Sequence, residues 1–203
     1  MNLNRIAVID FETTGLSPAM GDRATEVAIV LVEGGEVVAR FQSLMNAGVR
    51  IPPFIESFTG ISNAMIAAAP PAAEVMAQAS RFVGDVPMVA HNASFDRRYW
   101  AAELARLGLP APQPFACTML LSRRLYPEAS SHKLGTLAAL HRLTFAGRAH
   151  RALADAEVTG ALLARIQADL CERFDLPEAP HPLLMKVQAC QRHALTGMMK
   201  KQR

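Results

Sequence analysis

Several things are scarce in this chain, and each scarcity closes a possibility. Its three cysteines, Cys117, Cys171 and Cys190, are widely spaced and odd in number, which rules against a disulfide framework. With no C-x-x-C pair there is no zinc knuckle either, and reduced thiols in a cytoplasmic setting are expected. There is no apolar run of the roughly 18 residues that a spanning helix needs. The start, MNLNRIAVIDFE, meets acidic residues too early to read as a secretory signal. Neither G-x-G-x-x-G nor G-x-x-x-x-G-K-[ST] occurs, so a dinucleotide fold and a P-loop are unsupported. A G-x-S-x-G elbow is also missing, which removes the commonest serine-hydrolase reading. Acidic residues are absent from 181–203, a stretch that holds Lys186, Arg192, Lys200, Lys201 and Arg203. Setting those five aside leaves 16 of the chain's 21 basic residues against 18 acidic ones, so a mildly acidic body carries a basic tail. Such a tail fits a polyanionic partner or a solvated extension.

What is present suits one domain with a real core: 203 residues, 51% of them hydrophobic. Residues 4–10, 24–32 and 36–43 read as strands, the last two joined by a turn at Glu33-Gly34-Gly35. IPPFIESFTGIS is turn-rich, and Ala72 to Val83 follows as a helix. Val86–Ala90 is a short strand that leads through HNASFD into a helix ending near Leu107, with Asn92 as its expected N-cap. Another short strand is expected near Phe115–Thr118. Helices are expected at Met119–Leu125, Leu134–His141 and Ala152–Phe174. Pro177, Pro180 and Pro182 mark a boundary before a last, separate helix at Leu183–Met199. Early strands followed by alternating helices and strands imply an α/β chain around a mixed sheet.

Candidate chemistry lies in three acidic segments. In AVIDFETTGL, Asp10 and Glu12 are two apart on a strand and share a face, while Phe11 turns the other way. Two adjacent carboxylates repel unless a proton or cation sits between them, and Mg²⁺ suits such a pair. Taken alone, the pair fits a solvated strand end better, where D-x-E is unremarkable. Thr13-Thr14-Gly15 offers a turn with exposed N–H groups for a substrate oxygen. Asp96 stands at a helix start just after a strand, either as a dipole-favoured acid or as a group that meets Asp10. In HRALAD, His150 and Asp155 would point about 140° apart on one helix. They converge only if His150 lies in the loop that starts at Thr144 and Asp155 in the first helical turns.

DFETTGL, HNASFD and HRALAD, in this order and spacing, resemble the three exonuclease motifs of the DEDDh family of 3′-to-5′ exonucleases. FTGIS and SHKL resemble landmarks between those motifs, and the likeness spans roughly residues 4–172. It implies a ribonuclease H-like α/β fold over 1–175, with 176–203 as a basic, helical extension. It also implies two divalent ions, Mg²⁺ or Mn²⁺, held by Asp10, Glu12, Asp96 and Asp155, with His150 as general base. The H-x₄-D spacing favours the histidine over the tyrosine branch. Thr13 and Thr14 would meet the terminal 3′-hydroxyl, and Leu16, Ile61 and Phe95 would wedge the last bases. The implied partners are single-stranded 3′ ends, DNA before RNA, with a DNA polymerase or a second copy for the tail. RNA trimming on the same scaffold and a non-catalytic nucleic-acid-binding module remain alternatives.

Overall fold

A computed structural model describes residues 5–145 and 150–200. Its centre is a mixed sheet of order β3-β2-β1-β4-β5. β1 (Ile6–Thr13), β2 (Ala24–Glu33) and β3 (Glu36–Leu44) form an antiparallel meander. β4 (Met88–Ala90) and β5 (Phe115–Cys117) add on parallel to β1. Gly34 and Gly35, with φ of 60° and 86°, make the two-residue turn between β2 and β3. Positive φ at both turn positions matches the twist of a hairpin, and glycine reaches it without steric cost.

Helices cover both faces. Ala7, Ile9 and Phe11 of β1 pack toward α3 (Ala72–Val83) and α4 (Ser94–Ala105). Ile6 and Val8 face the other layer, built from α5 (Thr118–Leu125), α6 (Leu134–Leu140) and the long α7 (Ala152–Phe174). α7 packs close to β2 at Gly160, where a Cβ would lie in ordinary contact with Val32 Cγ2 at 3.4 Å. Two short helices, α1 (Pro53–Thr59) and α2 (Asn63–Ala67), occupy the segment expected to be only turns. Pro53 at the first helical position, Gly60 at φ 74° after the end and the Ser62 cap on Met65 N account for them.

Two further expectations change. Asn92 does not cap α4: it adopts φ 64°, and the helix begins two residues later behind Ala93. Asparagine tolerates the left-handed region, which lets the chain turn sharply out of β4. The single, separate C-terminal helix is instead α8 (His181–Ala189), a 3₁₀ turn at Arg192–Ala194 and α9 (Leu195–Met199). The segment is not detached, because Leu184, Val187, Leu195 and Met199 are buried in the α7-side core. His181 Nε2 donates to Met88 O at 2.9 Å. Gln188 serves the free edge of β5: its Oε1 accepts from Cys117 N at 2.7 Å, and its Nε2 donates to Phe115 O at 3.2 Å. The tail residues Lys201 and Arg203 lie outside the described residues, as do Ala146 to Ala149 of the loop before His150.

Candidate active site

β1 runs three residues further than the sequence pattern indicated, so Asp10 and Glu12 lie within it and not beyond its end. They continue the face of Ile6 and Val8, which turns them toward α7. Asp155, in the first turn of α7, comes up to meet them. Asp10, Glu12 and Asp155 each offer a carboxylate oxygen, and the three oxygens lie within 4.8 Å of one another.

Asp96 reaches the same place from the opposite layer. β4 is short, and its pairing with β1 stops at Val8–Val89. Beyond that point the N–H of Phe11 has no strand partner, and Asp96 Oδ1 accepts it at 3.1 Å. The carboxylate is only 2% exposed and is thereby tied to the peptide between the two β1 acids. Among the described residues it does not join the group of three converging oxygens, but its charge acts strongly on Asp10.

The electrostatics follow from that crowding. Burial, and then the charges of Asp96, Glu12, Asp155 and Glu26, hold Asp10 well above the ordinary carboxylate range. Burial and the charges of Asp155 and Glu26 push Glu12 up to about 8, opposed by Arg151. Burial pushes Asp96 up to about 8, against the pull of the Phe11 N–H. Asp155 is raised by burial and pulled back by His150. Crowded carboxylates of this kind repel one another, and a hard divalent cation would suit their oxygen donors.

His150 sits outside α7 at φ 63°. Its N–H donates to Asp155 Oδ2 at 3.0 Å, and its exposed ring stacks on Phe58 with centroids 4.1 Å apart. This is the loop-then-helix arrangement that lets both residues of HRALAD face one space. That space is a cleft of about 740 Å³, lined by Asp10, Asp155 and His150 together with Phe58, His91 and Lys133. His91 is satisfied on both ring nitrogens, by Thr118 Oγ1 at 2.9 Å and by His132 O at 3.0 Å. Burial lowers it to about 4, so it stands as a neutral wall of the cleft.

The candidate substrate contacts divide. Leu16 is 78% exposed at the tip of a turn built by Thr13 Oγ1 and Tyr99 Oη, which both donate to Gly15 O. A side chain at Gly15 would displace the Asp22 carboxylate, which accepts from Ser17 N at 3.0 Å. Thr13 and Thr14 are buried, and the N–H and Oγ1 of Thr14 are spent on Arg23, so the exposed N–H groups expected there reduce to less. Phe95 is half-buried against Tyr99, with centroids 4.9 Å apart. Ile61 is wholly buried with Ile51 and Ile66 in a small cluster. Phe58, three residues earlier, is 54% exposed and lines the cleft.

A family model described as Exonuclease (RNase_T) matches residues 7–163. The chain belongs to the exonuclease family. The 3′-5′ exonuclease DinG of Bacillus subtilis (strain 168) is 34% identical to it over 199 residues, 98% of this chain. The PolC-type DNA polymerase III of Halalkalibacterium halodurans is 37% identical over 171 residues, 84% of this chain. The chain spans only 21% of the first relative and 12% of the second. Among solved structures, Exonuclease X in complex with 5′ overhanging duplex DNA superposes with a TM-score of 0.71 at 29% identity. That match covers 91% of this chain and 99% of the other. Membership in the exonuclease family agrees with the DEDDh resemblance of the three motifs and with the mixed sheet flanked by helices.

Proposed function

We propose that the chain hydrolyses the terminal phosphodiester at a DNA 3′ end, releasing a nucleoside 5′-monophosphate. The observation that carries this reading is the convergence of Asp10, Glu12 and Asp155 oxygens within 4.8 Å, with His150 on the lip of the same cleft. Asp10, Glu12 and Asp155 would hold divalent metal, with Asp96 supporting Asp10 from its bond to Phe11 N. Bound there, Mg²⁺ or Mn²⁺ supplies Lewis-acid polarisation of the phosphodiester and charge for the oxyanion.

The chain's own residues do the rest. His150 takes the proton from the attacking water, and its backbone bond to Asp155 and its stack on Phe58 limit where the ring can swing. The exposed Leu16 and Phe58 offer apolar surface to the terminal bases. Lys133, at the cleft wall, offers a positive charge to the phosphate. DNA is favoured over RNA by the likeness to Exonuclease X, whose structure is a complex with DNA.

Labelled single-stranded DNA, single-stranded RNA and a simple phosphate ester, incubated side by side with Mg²⁺, test this reading. Stepwise release of mononucleotides from DNA is expected, abolished in Asp10→Ala and reduced about 10²- to 10⁴-fold in His150→Ala. Release at full rate by Asp10→Ala, or cleavage of the simple ester alone, would end the proposal.

A further inference from the structure

Glu26 is a wholly buried carboxylate beside the acid cluster but not part of it. It stands on β2 directly across from Glu12 in the antiparallel register. A buried charge in that place is costly unless its oxygens are fully matched. They are. Oε1 accepts from Gln42 Nε2 at 2.7 Å and from an Arg151 terminal nitrogen at 2.8 Å. Oε2 accepts from Arg151 Nε at 3.1 Å and from Ala152 N at 3.2 Å.

The donor side of this fork has a telling position. Arg151 is the residue between His150 and the first turn of α7, at the helix N-cap. On one side of it His150 holds φ 63°, and on the other Asp155 lies one turn along. A single guanidinium therefore fastens to β2 the junction from which both residues project. The same cation faces Glu12, which it favours in the charged form.

Resting on the exonuclease reading above, we infer that Glu26 and Arg151 are positioning residues of this site. The pair holds His150 and Asp155 in register with Asp10 and Glu12. It also sets a permanent positive charge beside an otherwise acidic cluster. Lysine cannot replace the arginine fully, because only a planar guanidinium bonds both carboxylate oxygens at once. A second ion pair on the same helix supplies the comparison: Arg40 Nε to Glu157 Oε1 at 2.6 Å also ties α7 to the sheet, but Arg40 is 52% exposed.

The test measures kcat and KM on a labelled oligodeoxynucleotide, and Mn²⁺ binding by calorimetry, for Arg151→Ala, Arg151→Lys, Glu26→Gln and Arg40→Ala. Misplacing a reacting group by about an ångström costs on the order of 100-fold, so Arg151→Ala and Glu26→Gln should lose roughly that in kcat. KM should stay within about threefold, since substrate contacts are untouched. Mn²⁺ should bind at least several-fold more weakly, millimolar guanidinium should restore part of the Arg151→Ala rate, and Arg40→Ala should match the parent. If Arg151→Ala fails to fold by circular dichroism, Glu26→Gln and Arg151→Lys decide. Unchanged kcat and Mn²⁺ affinity in them, or an equal loss in Arg40→Ala, overturns the inference. A parent protein that is inactive on every 3′ end would sink the exonuclease reading separately, and the Mn²⁺ titrations would still judge the pair.

Discussion

Asp10, Glu12 and Asp96 are uphill neighbours in the metal-free protein. Glu12 moves from an ordinary 4.5 to about 8, and Asp96 from 3.8 to about 8, both through burial first. A carboxyl raised on folding takes up protons, so its contribution is complete below the unfolded value and is lost as pH climbs through the folded one. Metal-free protein should therefore lose stability between about pH 4 and pH 8, and Mg²⁺ should restore it most at the alkaline end. Asp10→Asn should raise the melting temperature of the metal-free protein at pH 8 by a few degrees, given roughly 2–4 °C per kcal/mol at this size. It should also blunt the Mg²⁺ response. A calorimetric scan with and without chelator reads both, and a Mg²⁺ shift as large in Asp10→Asn as in the parent would refute the account. Asp10 and Glu12 were legible in the sequence because side chains two apart on a strand must share a face, and Asp96 because it stands at a helix start just after a strand. Glu26 was not singled out, although a lone acid inside ATEVAIVLV was a visible signal. Its partner lies 125 residues away.

Among the elements, β5 shows how a short strand is finished by something other than a strand. Its outer edge is served by one side chain, Gln188 from α8, which supplies an acceptor and a donor as a neighbouring strand would. Gln188→Leu should leave Cys117 N–H and Phe115 C=O unpaired and cost about 1–3 kcal/mol. Urea unfolding would register that loss, while kcat on the oligonucleotide should remain at the parent value. A kcat loss at intact stability would contradict a purely structural role for Gln188. Strand and helix periodicity placed β2, β3, α3 and α7 closely, because long apolar patterns survive any context. It missed α1 and α2, whose seven and five residues are too few for a period to emerge. It misread the cap of α4, since Asn92 suits a left-handed turn as well as a helix cap.

For the whole molecule, the C-terminal segment matters most. The proline-rich boundary and the missing acids indicated a tail that could leave the body. Instead Leu184, Val187, Leu195 and Met199 complete the core on the α7 side. Four buried side chains at about 1.5–3 kcal/mol each are comparable with the whole stability of a typical domain. Removing residues 181–203 should therefore give a chain without a cooperative thermal transition, measured by circular dichroism. A sharp melt near that of the full chain would show the segment to be dispensable.

By itself the sequence determined the chemistry on offer: three acidic segments, a histidine five residues before an aspartate, and strand and helix periods that place them at element ends. Those facts are local, set by backbone geometry over a few residues. Only the tertiary structure decided which groups meet. It brings Asp96 around the end of the short β4 to Phe11, buries Ile61 while presenting Phe58, and ties Arg151 to Glu26. Each depends on where one element ends relative to another, and packing across the sheet sets that distance, not the spacing along the chain.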